Sequence, residues 1–119
     1  MDIDVERRDD DIFVVTCPPE LGWKARVDLL GAVQEHIDGC DVRAVILDFD
    51  TVEHLNSAGI GAIFTLRKHL KTKDAGMAIC CANDTIRRLF RTVNLEAMIC
   101  VTDTRSEAIA KFNSTKPSA

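Results

Sequence analysis

Residues 43–49, RAVILDF, centre on four successive apolar residues, AVIL, with no polar alternation. A strand on the surface of a sheet alternates its sides, so an unbroken run of this length is a strand buried on both faces. Such a strand belongs in the interior of a parallel sheet. Parallel neighbours cannot be joined by tight turns, so the chain on either side must return through helices. That single stretch therefore points to an α/β fold.

The rest of the chain supplies the crossovers. IDVERR (3–8) and IFVVTC (12–17), separated by Asp9-Asp10-Asp11, read as two strands joined by a tight turn, and Pro18-Pro19 ends the second. Trp23, Val27, Leu30, Val33 and Ile37 recur at three- and four-residue steps, predicting a helix over 23–37 with Trp23 packed at its start and Gly39 as its stop. A second helix is expected from Asn56 or Ser57 to about Lys73, with Ile60, Ile63, Phe64, Leu66 and Leu70 inward. MAICCA (77–82) is another short buried strand. Asn83-Asp84 caps a helix over 84–93, with Ile86, Leu89, Phe90 and Val93 on its core side and a left-handed Asn94 at its end. MICVT (98–102) is the last strand, and SEAIAKF (106–112) the last helix, capped by Thr104 or Ser106. The order ββαβαβαβα predicts a mixed, mostly parallel sheet of about five strands with about four helices. A chain of 119 residues is expected to be one domain, here 1–112, followed by a flexible tail over 113–119.

Bulk properties narrow the function. The formal net charge is −4, which argues against nucleic acid or an anionic membrane as partner. No stretch approaches the roughly 20 apolar residues of a membrane span, and the charged start MDIDVERRDDD is unlike a signal peptide, so a cytoplasmic protein is expected. The five cysteines lack any CxxC spacing, and the adjacent Cys80 and Cys81, if both lie in a strand, point to opposite faces. Reduced thiols, no metal and no cofactor are the expectation. Three scattered histidines form no ligand pattern.

HLNSAGIGAIF (54–64), at the junction between the buried strand and the second helix, carries the most unusual composition. Asn56 or Ser57 can cap the helix, and Gly59 and Gly61 are expected to allow close packing against a neighbouring strand, since each otherwise costs about 0.5–1 kcal/mol relative to alanine. A serine nucleophile would want a GxSxG elbow with a base, and a phosphate loop would want GxxxxGK[ST]; neither is present. From the residues alone a structural cap suffices, and the functional chemistry left open for Ser57 beyond that is phosphorylation. A phosphate adds about −1.5 to −2 charges, which a helix N-terminus accommodates while the surface around it changes sign. Asp48, Asp50, Glu53 and His54 are expected to share this rim with Ser57, where magnesium or nucleotide binding is a weaker reading. Arg87, Arg88 and Arg91 read as a solvated face of their helix, and Arg67, Lys68, Lys71 and Lys73 as favourable charges toward the end of theirs.

VILDFDTVEHLNSAGIGAI resembles the signature of STAS domains, the family of bacterial anti-sigma factor antagonists. The likeness extends over residues 4–112 and includes IRRLFRTVNLEAMICVTDTRSEAIAKF, similar to the family's third helix, final strand and last helix. The resemblance implies a non-enzymatic module that binds an anti-sigma factor with serine kinase activity and frees a sigma factor. Phosphorylation of the serine matching Ser57 switches it off, and a PP2C-type phosphatase resets it. The implied binding surface comprises Asn56, Ser57, Ala58, Gly59 and Gly61 with His54, Leu55 and Gly22. Two positions depart from the family pattern: Asn56 stands where aspartate is usual, and Pro19-Glu20-Leu21-Gly22 replaces a glycine-x-leucine-aspartate loop. The rival reading keeps the fold without the switch, as an adaptor or scaffold in a stress-signalling or transporter complex.

Overall fold

The AVIL stretch and Asp48 after it become β4 (Ala44–Asp48), every residue of it buried. In the computed structural model, which describes residues 3–8 and 11–114, β4 lies at the centre of a five-stranded sheet. Its neighbours are β2 (Ile12–Thr16) and β6 (Gly76–Cys80), both parallel to it. Beyond β6 lies the short parallel β7 (Cys100–Thr102). The other edge, β1 (Asp4–Arg7), is antiparallel to β2. The expected turn residues Asp9 and Asp10 lie outside the described residues. The mostly parallel sheet and the four helices match the architecture read from the sequence.

The helices are α1 (Ala25–Ile37), α2 (Ser57–Lys71), α3 (Asp84–Thr92) and α4 (Arg105–Ser114). Side chains of alternating parity build two cores. Phe13, Val15, Val45, Leu47, Met77 and Ile79 meet the first three helices, and the rings of Phe49 and Phe90 pack 5.8 Å apart there. Ile12, Val14, Ala44, Ile46, Ala78 and Cys80 form a smaller core with Ala108 of α4. A strand that serves two cores has no polar side to show, which is why β4 lacks alternation.

Local chemistry accounts for most boundaries. Asn83 Oδ1 accepts from the Ile86 N–H at 2.8 Å and starts α3. Asn94, at φ 57°, ends that segment in the left-handed region as expected. Of the two proposed caps for α4, Thr104 is the one used: its hydroxyl accepts from the Glu107 N–H and pairs with the Glu107 carboxylate, both at 3.1 Å. This helix continues through Ser114, two residues into the expected tail, and 115–119 lie outside the described residues.

Other expectations are corrected. The inward stripe of α1 is Leu29, Val33 and Ile37, whereas Trp23 and Val27 are 74% and 73% exposed. The helix begins after Trp23, and Val27 lies some 200° around the axis from Leu29. Val93, expected in the core, is 38% exposed because α3 ends one residue before it. Met98 falls outside β7 and is also exposed, since a 3-10 turn over Leu95–Ala97 precedes that strand. A second sheet, invisible in the periodicity, pairs β3 (Glu20–Leu21) with β5 (His54–Leu55) in parallel.

Candidate functional site at the start of α2

The β3–β5 pair assembles the site. Proline cannot donate, but the Pro19 carbonyl accepts from the N–H groups of Glu53 and His54 at 2.7 and 3.0 Å. The Thr51 hydroxyl donates to the Cys17 carbonyl at 3.0 Å, and the Asn56 N–H donates to the Leu21 carbonyl at 3.3 Å. Two segments far apart in sequence are thus laced into one rim. This rim brings Gly22 beside His54, Leu55 and Asn56, which line a shallow depression together with Glu20 and Leu21.

Asn56 is the N-cap of α2: its backbone is extended, and its Oδ1 accepts from the Gly59 N–H at 3.0 Å. Ser57 is the first helical residue and is exposed. Its own N–H and that of Ala58 fall in the first turn, where no intrahelical acceptor exists. No acidic residue occupies this turn, so no carboxylate within it offsets the positive end of the helix dipole at the Ser57 hydroxyl.

The two glycines have different environments. Gly59 is buried, and a Cβ there would run into the Leu21 carbonyl oxygen and come within 2.6 Å of Leu55 Cδ1. Gly61 is exposed with no atom within 4 Å of a built Cβ, so the expectation of close packing fails at this position. The close approach between helix and β3 is made by Gly59 alone.

The acidic rim also divides. Asp50, Glu53, His54 and Ser57 are exposed together. Asp48 is 5% exposed and points into the α4 core, where its Oδ2 accepts from Arg105 Nε and Nη2 at 3.0 and 2.6 Å. Residues of a strand alternate faces, so Asp48 could not join a surface formed by the loop after it. Arg87 leaves its supposed solvated face as well, pairing with Asp103 at 2.7 Å and Glu96 at 3.5 Å, while Arg88 and Arg91 stay exposed. Arg67 Nε donates to the Met98 carbonyl at 3.1 Å and so ties α2 to the segment before β7.

Two further features mark this end, a groove with no sequence signal and an apolar patch around Trp23. An open groove of about 370 Å³ runs between β5 and α3, lined by Glu53, His54, Leu55, Arg88, Leu89 and Thr92 among others. Trp23 and Val27, one helical turn apart, expose apolar surface directly after Gly22. A lone tryptophan is the only signal that could have pointed there.

A family model described as STAS domain matches residues 2–108. Among solved structures, the fold is similar to a candidate anti-sigma factor antagonist of Thermotoga maritima, at 20% identity and TM-score 0.81, over 93% of this chain and 94% of that one. It is similar to the anti-sigma factor antagonist SpoIIAA in its unphosphorylated form, at 18% identity and TM-score 0.80, over 97% and 99%. The phosphorylated form of SpoIIAA, from Bacillus, aligns at 19% identity and TM-score 0.71, over 92% and 97%.

Proposed function

Since the chain belongs to the STAS domain family, we propose that it is a non-enzymatic anti-sigma factor antagonist switched at Ser57. It binds an anti-sigma factor with serine kinase activity, frees a sigma factor, and releases its partner when Ser57 is phosphorylated. A PP2C-type phosphatase restores binding. The binding surface is the exposed start of α2 with Asn56, Ser57, Ala58 and Gly61, together with His54, Leu55 and Gly22. Gly59, being buried, serves this surface by letting β3 approach rather than by touching the partner. Trp23 and Val27 extend the surface with apolar area.

The observation that carries this reading is the exposed Ser57 hydroxyl at a helix N-terminus with no acidic residue in its first turn. A phosphate there meets unpaired N–H groups and a favourable dipole, so the fold tolerates it. The rim already carries exposed Glu20, Asp50 and Glu53, and about −2 further charges would make it strongly negative. A partner that docks on the neutral hydroxyl would then be repelled without any large change of shape. No helix among the described residues is long and apolar enough to cross a membrane.

The test is to isolate the protein from its own cells, measure intact mass before and after phosphatase, map the Ser57 peptide and identify what co-purifies. Phosphate on Ser57, with a kinase-like anti-sigma factor bound only to the unmodified chain, is the expected result. Ser57→Ala should hold the partner constantly and Ser57→Glu should lose it. A Ser57 unmodified in every growth condition, with some other stable partner, would replace the switch by the constitutive adaptor.

A further inference from the structure

On the α4 side of the sheet, β4 and β6 end in a cluster that the Ser57 surface does not use. Asp48 and Cys80 are register partners, so their side chains leave the sheet on the same face. Cys81 would point to the opposite face if the strand continued. It does not continue: Cys81 has φ 67°, in the left-handed region that a residue with a Cβ rarely adopts, and its N–H is held by the Thr102 carbonyl at 3.2 Å. The reversal brings both sulfurs together, which overturns the expectation that these cysteines diverge. The Sγ atoms of Cys80 and Cys81 and a carboxylate oxygen of Asp48 all lie within 4.8 Å of one another.

The carboxylate is already aimed. Its Oδ1 accepts from the Asp50 N–H at 2.9 Å and its Oδ2 from two Arg105 nitrogens. A carboxylate has about four acceptor positions, so one is left over. Cys80 is fully buried and Cys81 half-buried, giving an inner donor and one reachable from solvent.

We propose that Asp48, Cys80 and Cys81 form a binding site for one thiophilic divalent cation of the zinc or cadmium class, with water completing the coordination. Thiolates select such ions and a carboxylate is among the ligands they accept, whereas magnesium and calcium take oxygen ligands. Charge balance favours the same ions. Arg105 already neutralises Asp48, and each thiol releases its proton to the buffer as the ion arrives. One divalent cation replaces two protons, and the net charge of this buried cluster does not change. The usual penalty for burying an uncompensated charge is thereby avoided. The ion would cross-link the ends of β4 and β6 at the root of the segment leading to Ser57.

The experiment titrates the reduced, chelator-treated full chain with cadmium alone and follows thiolate-to-metal charge-transfer absorption. Saturation at one ion per chain is expected. Glycine adopts a positive φ without strain, so Cys81→Gly should fold at least as well as the native chain and yet weaken binding by roughly tenfold or more. Asp48→Asn should weaken it as well. A chain with Cys17, Cys40 and Cys100 all changed to alanine, checked for folding by circular dichroism, should keep the ion. In parallel, zinc should raise the melting temperature of the native chain and not that of Cys81→Gly. Unchanged affinity in Cys81→Gly, or loss of the ion in the folded triple variant, overturns the proposal.

Discussion

Gly59 and Gly61 are two residues apart on α2 and should respond oppositely to the same change. A methyl group at Gly59 collides with backbone at Leu21, which cannot step aside without breaking the β3–β5 pairing. Gly59→Ala should therefore cost about 1–3 kcal/mol, the range for overpacking, seen as a lower denaturation midpoint. Gly61→Ala meets open space in a helix interior and should gain about 0.5–1 kcal/mol in the same assay. The sequence shows both glycines and offers no way to rank them, because the atom that distinguishes them belongs to Leu21, 38 positions from Gly59. The same holds for Asp48, whose burial depends on Arg105, 57 residues along the chain.

Elements are fixed at their ends. Asn56→Ala removes the α2 cap and should cost about 1 kcal/mol by thermal or urea unfolding. Asn56→Asp, the residue usual in the family, keeps the accepting oxygen and adds a charge facing the helix dipole, so it should raise stability by about 0.3–1 kcal/mol, less at high salt. The first turn of α4 holds both signs: Glu107 suits the helix dipole, whereas Arg105 is a cation where one is unfavourable. Asp48 offsets that cost and fastens α4 to the end of β4. Arg105→Met leaves a buried carboxylate unpaired and should cost about 3 kcal/mol, the low end for such a loss because Arg105 itself is 37% exposed. Asp48→Asn combined with Arg105→Met should cost less than the sum of the two single changes, which a double-mutant cycle reads directly. The caps at Asn56 and Asn83 are legible in sequence because capping joins residues two or three apart.

Across the whole molecule, burial of Cys17 links stability to pH. Burial first, and the Asp48 charge second, raise this thiol well above the ordinary range. The unfolded chain ionises near pH 8.5 while the folded chain holds its proton, so the native state binds more protons above that pH. Stability from this group is fully present below about pH 8.5 and is lost as pH rises, by up to about 1.4 kcal/mol per pH unit. The unfolding free energy measured from pH 8 to 10 should fall steeply in the native chain and less steeply in Cys17→Ala.

The sequence by itself determined the α/β class, the order of the main strands and helices, the left-handed Asn94 and the position of Ser57 at a helix start. These follow from periodicity and from backbone hydrogen bonds that close within a few residues. Only the tertiary structure decided that two-residue strands lace residues 20–21 to 54–55, that Trp23 faces solvent, that Asp48 leaves the rim for Arg105, and that Cys81 turns back beside Cys80. Each of these rests on a partner distant in the chain or on where a strand stops. Pairings that short have no period to read, and the energy that selects them comes from the neighbour, not from the residue.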